Sequence, residues 1–154
     1  MDPHSRRAVA ARIGLAAVAS WLVLGAAQGA AATVVDAEGR AVTVADASRI
    51  VSIGGAVTEI LYALGLDDRI VAVDTTSLYP PRAAREKPSV GYMRQLSAEG
   101  VLGLNPTLVL ASEAAGPQET MAVLKAAAVP LVLVPERHTG EGILDKVALI
   151  AQAT

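Results

Sequence analysis

The sequence predicts an α/β fold with a mostly parallel sheet flanked by helices, and three observations carry that prediction. Residues 50–53, 70–73, 108–111 and 131–134 are short runs that are apolar throughout except for Ser52, the pattern of strands buried on both faces. Helical segments at 58–64, 97–104 and 117–127 alternate with them. Strand alternating with helix implies crossover connections, and crossovers make neighbouring strands parallel.

Taken in order, the chain opens with Arg6, Arg7 and Arg12, followed by an apolar run over 13–27 and small residues at Ala30, Ala31 and Ala32. This reads as a secretory signal over residues 1–32, cleaved after Ala32. The run is shorter than the roughly 20 apolar residues that span a bilayer, so removal is expected rather than a membrane anchor. Residues 33–44 alternate around Glu38-Gly39, the pattern of a small β-hairpin.

After the run at 50–53 come Gly54-Gly55 and a helix that Glu59 is expected to help begin and Gly65 to close. Thr75, Thr76 and Ser77 follow the run at 70–73, at the strand end where α/β sheets place ligands. Ser97 is a good N-cap, with Glu99 in the first helical turn, and Asn105-Pro106 ends that short helix. Pro117 suits the first turn of the next. The segment 141–154 has apolar residues at 143, 144, 147, 148, 150 and 151, so it begins an amphipathic helix that no stop signal closes.

Composition narrows the function classes. With 53% hydrophobic and 18% charged residues the chain has the material for a core, and wholesale disorder is excluded. That core must be aliphatic, because Phe is absent and the four aromatics are Trp21, Tyr62, Tyr79 and Tyr92. Subtracting Arg6, Arg7, Arg12 and Asp2 from 13 basic and 15 acidic residues leaves 10 against 14, a net of −4. Such a balance argues against nucleic acid as a partner. Zero cysteines permit an oxidising compartment and exclude a thiol-metal site and a lipid-anchored cysteine at the cleavage point. His138 is the one histidine of the mature part, a surface or capping residue with no second ligand at metal spacing.

Most of the functional signal lies in the loop Gly91-Tyr-Met-Arg-Gln-Leu-Ser-Ala-Glu99. Gly91 lets the backbone turn so that Tyr92 is aimed away from the sheet, and Arg94 follows two residues later. Residue type alone fits an exposed tyrosine bonded to backbone, and it fits a solvated arginine as well as a functional one.

Together with Arg49-Ile-Val-Ser-Ile-Gly-Gly-Ala-Val-Thr-Glu59, Gly65-Leu-Asp-Asp-Arg-Ile-Val-Ala-Val-Asp74 and Tyr79-Pro-Pro81, this loop resembles the N-terminal lobe of haem-binding periplasmic proteins of bacterial ABC importers. They form part of the iron-siderophore and vitamin B12 binding family, and the resemblance runs from about Thr33 to the end. It implies a non-enzymatic, periplasmic protein, monomeric in its two-lobed form. The N-terminal lobe would occupy 33–140, the inter-lobe helix would start at 141, and the second lobe would be absent, making the chain a fragment.

On this resemblance Tyr92 supplies an axial ligand to haem iron, since a phenolate is a hard oxygen donor suited to ferric iron. Arg94 would steady it or meet a propionate, with Arg82, Arg85 and Lys87 as weaker propionate partners. Thr75 and Ser77 would line the cleft. Glu99 would dock into arginines of the permease, whose ATPase drives import. Siderophore or cobalamin binding is the alternative within the family. From another class comes a small α/β enzyme using nucleotide or phosphate at Gly54-Gly55, although that spacing satisfies neither G-x-G-x-x-G nor the P-loop pattern.

Overall fold

Strands apolar on both faces are explained by a sheet that is covered on both sides. The computed structural model describes residues 31–154, so nearly all of the expected leader lies outside the described residues. Strands β1 (Ala32–Val35) and β2 (Ala41–Val44) pair antiparallel around the turn at Gly39, whose φ of 75° suits glycine. The main sheet holds β3 (Ile50–Ile53), β4 (Ile70–Val73), β5 (Leu108–Ser112) and β6 (Leu131–Val134), all parallel, in the order β4-β3-β5-β6.

Helices α1 (Gly55–Ala63), α2 (Pro81–Glu86), α3 (Ala98–Leu102), α4 (Gln118–Ala126) and α5 (Gly140–Ala153) complete the fold. Ile50, Leu108, Leu110, Val132 and Val134 face a core shared with Val57 and Leu61 of α1 and Leu149, Ile150 and Ala153 of α5. Val51, Ile53, Val109, Ala111 and Leu133 face the other core, with Val101 of α3 and Met121 and Leu124 of α4. Successive side chains point to opposite faces of a strand, so a sheet with helices on both sides is apolar on both faces; the exceptions, Ser52 and Ser112, are buried with their hydroxyls bonded to Thr58 and Glu136.

Three local expectations are corrected. Helix α2 was not foreseen; it starts at Pro81, where a missing N–H costs nothing. Glu59 lies beyond the first turn of α1, which contains no acid, so it does not help that helix begin. In α5 the buried residues are Gly142, Lys146, Leu149, Ile150 and Ala153, while Ile143 and Leu144 are exposed. The apolar stripe read from sequence is therefore rotated from the packed face. Lys146 takes an inward position because Glu136 meets its ammonium at 2.7 Å.

Candidate functional site

Strand order reverses at the neighbours β3 and β5, since the chain passes from β3 outward to β4 and then back across to β5. In open α/β sheets the crevice at the carboxyl ends of such strands is where ligands bind. Here that edge carries Gly54-Gly55 after β3, Asp74 to Ser77 after β4 and Ser112 at the end of β5.

Asp74 organises this edge, and sequence reasoning missed it. It is 1% exposed. Its Oδ1 accepts from the Gly54 N–H at 2.8 Å and the Ser77 hydroxyl at 2.9 Å; its Oδ2 accepts from the Thr76 N–H at 2.9 Å and hydroxyl at 2.7 Å. Thr58 links Ser77 at 2.6 Å to Ser52 at 2.7 Å. The Gly55 N–H donates to the Thr76 hydroxyl oxygen at 3.0 Å. An acid followed by Thr-Thr-Ser at a strand end is a turn signature that could have flagged this network.

One sequence expectation changes as a result, and one rival reading loses its support. Ser77, expected to line the cleft, is fully buried with its hydroxyl bonded to Asp74 and Thr58, so it supports the site from beneath. The Gly54 and Gly55 N–H groups are already engaged, one by a carboxylate, which removes the donors a phosphate would need at this turn. The glycines serve close packing: a Cβ at Gly55 would lie 2.7 Å from the Thr76 carbonyl oxygen, and Gly54 has φ 111°.

The Tyr92 loop is held on both sides. Residues 88–91 run alongside the end of β4, with Val73 N–H donating to the Pro88 carbonyl, Val90 N–H to Val73 and Thr75 N–H to Gly91, at 3.0, 2.9 and 2.9 Å. Gly91, at φ 91°, then turns the chain, and the Gln95 N–H closes a turn on the Tyr92 carbonyl at 2.8 Å. On the far side Gly116 pairs with Met93 and Leu96 through two 2.9 Å backbone bonds, and the Thr120 hydroxyl donates to the Leu96 carbonyl at 3.0 Å.

Met93 and Leu96 pack inward on the core, whereas Tyr92, 43% exposed, and Arg94 face out. Among the described residues neither the phenol nor the guanidinium makes a side-chain hydrogen bond or ion pair. Thr75 is exposed beside this loop. Arg82 is engaged elsewhere, bridging to Asp67 at 2.9 Å and lying 4.7 Å above the Tyr62 ring. Burial pushes the Tyr62 hydroxyl above its ordinary pKa, against the opposing pull of Arg82. Arg85 and Glu99 are exposed, Glu99 in the first turn of α3 behind the Ser97 cap.

Residues 50–154 match the profile described as periplasmic binding protein. The chain belongs to the periplasmic binding protein family. Within this family it is similar to the apo periplasmic heme-binding protein RhuT from Roseiflexus sp. RS-1, with 46% identity and a TM-score of 0.67 over 70% of this chain and 41% of that one. A variant of heme binding protein HmuT superposes with a TM-score of 0.73 at 31% identity, over 83% of this chain and 40% of that one. The vitamin B12-binding protein of Yersinia pestis is 34% identical over 104 residues, 66% of this chain and 37% of that protein. This chain therefore spans less than half the length of these relatives. All three are binding proteins by name, and the mostly parallel sheet flanked by helices is the fold that the two heme-binding structures share with it.

On the other side of the crevice floor, the Ser112 hydroxyl donates to Glu136 at 2.8 Å, and Glu136 also accepts from Lys146 of α5 at 2.7 Å. Burial works to raise the Glu136 pKa, yet the hydrogen bonds from Lys146 and Ser112 and the nearby positive charge hold it below the ordinary value. His138 is exposed just ahead of the Thr139 cap of α5. Among the described residues no group of three or more His, Asp or Glu is placed to hold a metal ion, and no helix is long and apolar enough to cross a membrane.

Proposed function

We propose that this chain is the haem-binding component of a bacterial ABC importer, holding ferric haem through Tyr92 and delivering it to a membrane permease. The observation that carries the reading is the outward Tyr92 phenol, without a hydrogen-bond partner among the described residues, on a loop fixed at the carboxyl edge of the sheet. A phenolate suits ferric iron, and Arg94 on the same turn supplies positive charge for the phenolate or a propionate. Thr75 borders the same loop and is the polar residue best placed to meet ligand. The two haem-binding relatives support haem as the ligand.

In the same proposal, residues 1–32 direct secretion to the periplasm, 33–140 form the ligand-binding lobe and 141–154 begin the helix leading out of it. Glu99 meets basic residues of the permease, whose ATPase drives transport. Cobalamin is the second reading, supported by the 34% identity to a vitamin B12-binding protein.

Titration with ferric haem and, separately, with cyanocobalamin tests the choice. Haem is expected to give a ferric-tyrosinate charge-transfer band and cobalamin no saturable change. Saturable cobalamin binding without the tyrosinate band would reverse the assignment.

A further inference from the structure

Leu78 has 70% of its surface exposed; it follows Thr76 and Ser77, whose hydroxyls are bonded inward, and precedes Tyr79, itself 64% exposed. Ser77 is bonded to Asp74 and Thr58, and Thr76 to Asp74 and Gly55. The Leu78 N–H donates to the Thr76 carbonyl at 2.9 Å. Held by these bonds, the turn cannot roll to tuck the leucine into the core. It is also joined to the Tyr92 loop, through the 2.9 Å bond from Thr75 N–H to the Gly91 carbonyl and the 3.8 Å approach of the Thr76 hydroxyl to the Met93 sulfur. Two adjoining, pinned turns thus present an aliphatic side chain and a phenol at the same sheet edge.

We infer that Leu78 is an apolar contact for the ring of the ligand beside Tyr92 and favours planar tetrapyrroles; the inference rests on the haem reading above. A porphyrin face is apolar and its ionised propionates sit on one edge, so covering Leu78 removes apolar area from water on both partners. A corrin rimmed with amides would bring polar groups against a side chain that cannot bond them. The leucine has no packing role in the body of the protein, so a ligand can cover it without disturbing the fold.

The test uses the full chain carrying Leu78→Ala or Leu78→Asp, titrated with ferric haem and with iron-free protoporphyrin IX. Leu78→Asp is expected to weaken both by about tenfold or more, which is about 1.4 kcal/mol, and Leu78→Ala by about threefold. The tyrosinate band at saturating haem and the thermal midpoint should match the parent. Tyr92→Phe, as the control, should lose the band while keeping protoporphyrin affinity within about twofold. Unchanged affinities in Leu78→Asp, with the band intact, would overturn the Leu78 contact and leave haem binding standing. A Leu78-dependent protoporphyrin affinity without any tyrosinate band would do the reverse. A parent chain that binds neither compound overturns both.

Discussion

The Gly54 N–H donates to the Asp74 carboxylate at 2.8 Å, joining the ends of β3 and β4 through a buried charge. One acid thereby shapes two turns of the crevice: it engages the glycine turn and holds the Thr76-Ser77 turn that carries Leu78. The same bond takes up a donor that would have made the glycine turn an anion site.

Asp74→Ala is expected to destabilise the protein by about 3–5 kcal/mol, because several buried donors lose their acceptor at once. Denaturant unfolding measures it. A loss below about 1 kcal/mol would mean that water replaces the carboxylate and the network is not a structural anchor.

Tyr92→Phe removes only an exposed oxygen, so stability should stay within about 0.5 kcal/mol of the parent while ferric-haem ligation disappears. Arg94→Ala should weaken haem binding by about 1–2 kcal/mol, the scale of a charge-assisted hydrogen bond. Absorbance titration ranks the two, and a larger effect from Arg94→Ala would exchange their roles.

Glu136 gives a pH dependence with a definite sign. Its folded pKa lies below the ordinary glutamate value of 4.5, so its contribution is complete above that value and is lost as pH falls through the folded pKa. Thermal midpoints measured from pH 7 down to pH 3 should fall more steeply in the parent than in Glu136→Gln. Glu136→Ala should cost about 2 kcal/mol at pH 7, less than a fully buried pair, because its side chain keeps 26% exposure. Parallel pH curves for parent and Glu136→Gln would show that the pair with Lys146 contributes nothing.

Glu99→Arg, placed in a full-length transport protein with its permease, should leave haem affinity unchanged and reduce haem-stimulated ATP hydrolysis. The reason is position: Glu99 is exposed in the first turn of α3, outside the hydrogen-bonded crevice floor. Reduced haem affinity in this variant would move Glu99 from the docking role into the ligand site.

Sequence by itself determined the four parallel strands, the hairpin, the Ser97 cap and the outward loop at Tyr92, because each leaves a local mark. Strands covered on two faces are apolar at nearly every position, a side-chain cap asks for Ser, Thr, Asp or Asn, and a turn with positive φ asks for Gly. Tertiary structure alone decided what joins these parts. The pairing of 88–91 with β4, the burial of Ser77 beneath Asp74, the capture of Arg82 by Asp67 and Tyr62, and the inward face of α5 all depend on partners far apart in the chain. A lysine at position 146 reads as solvent-facing until Glu136 arrives from another element to meet its charge. Hydrogen bonds and ion pairs between distant residues carry no sequence period, so chain folding had to bring Gly54, Asp74 and Tyr92 to one edge before that edge could be proposed as a site.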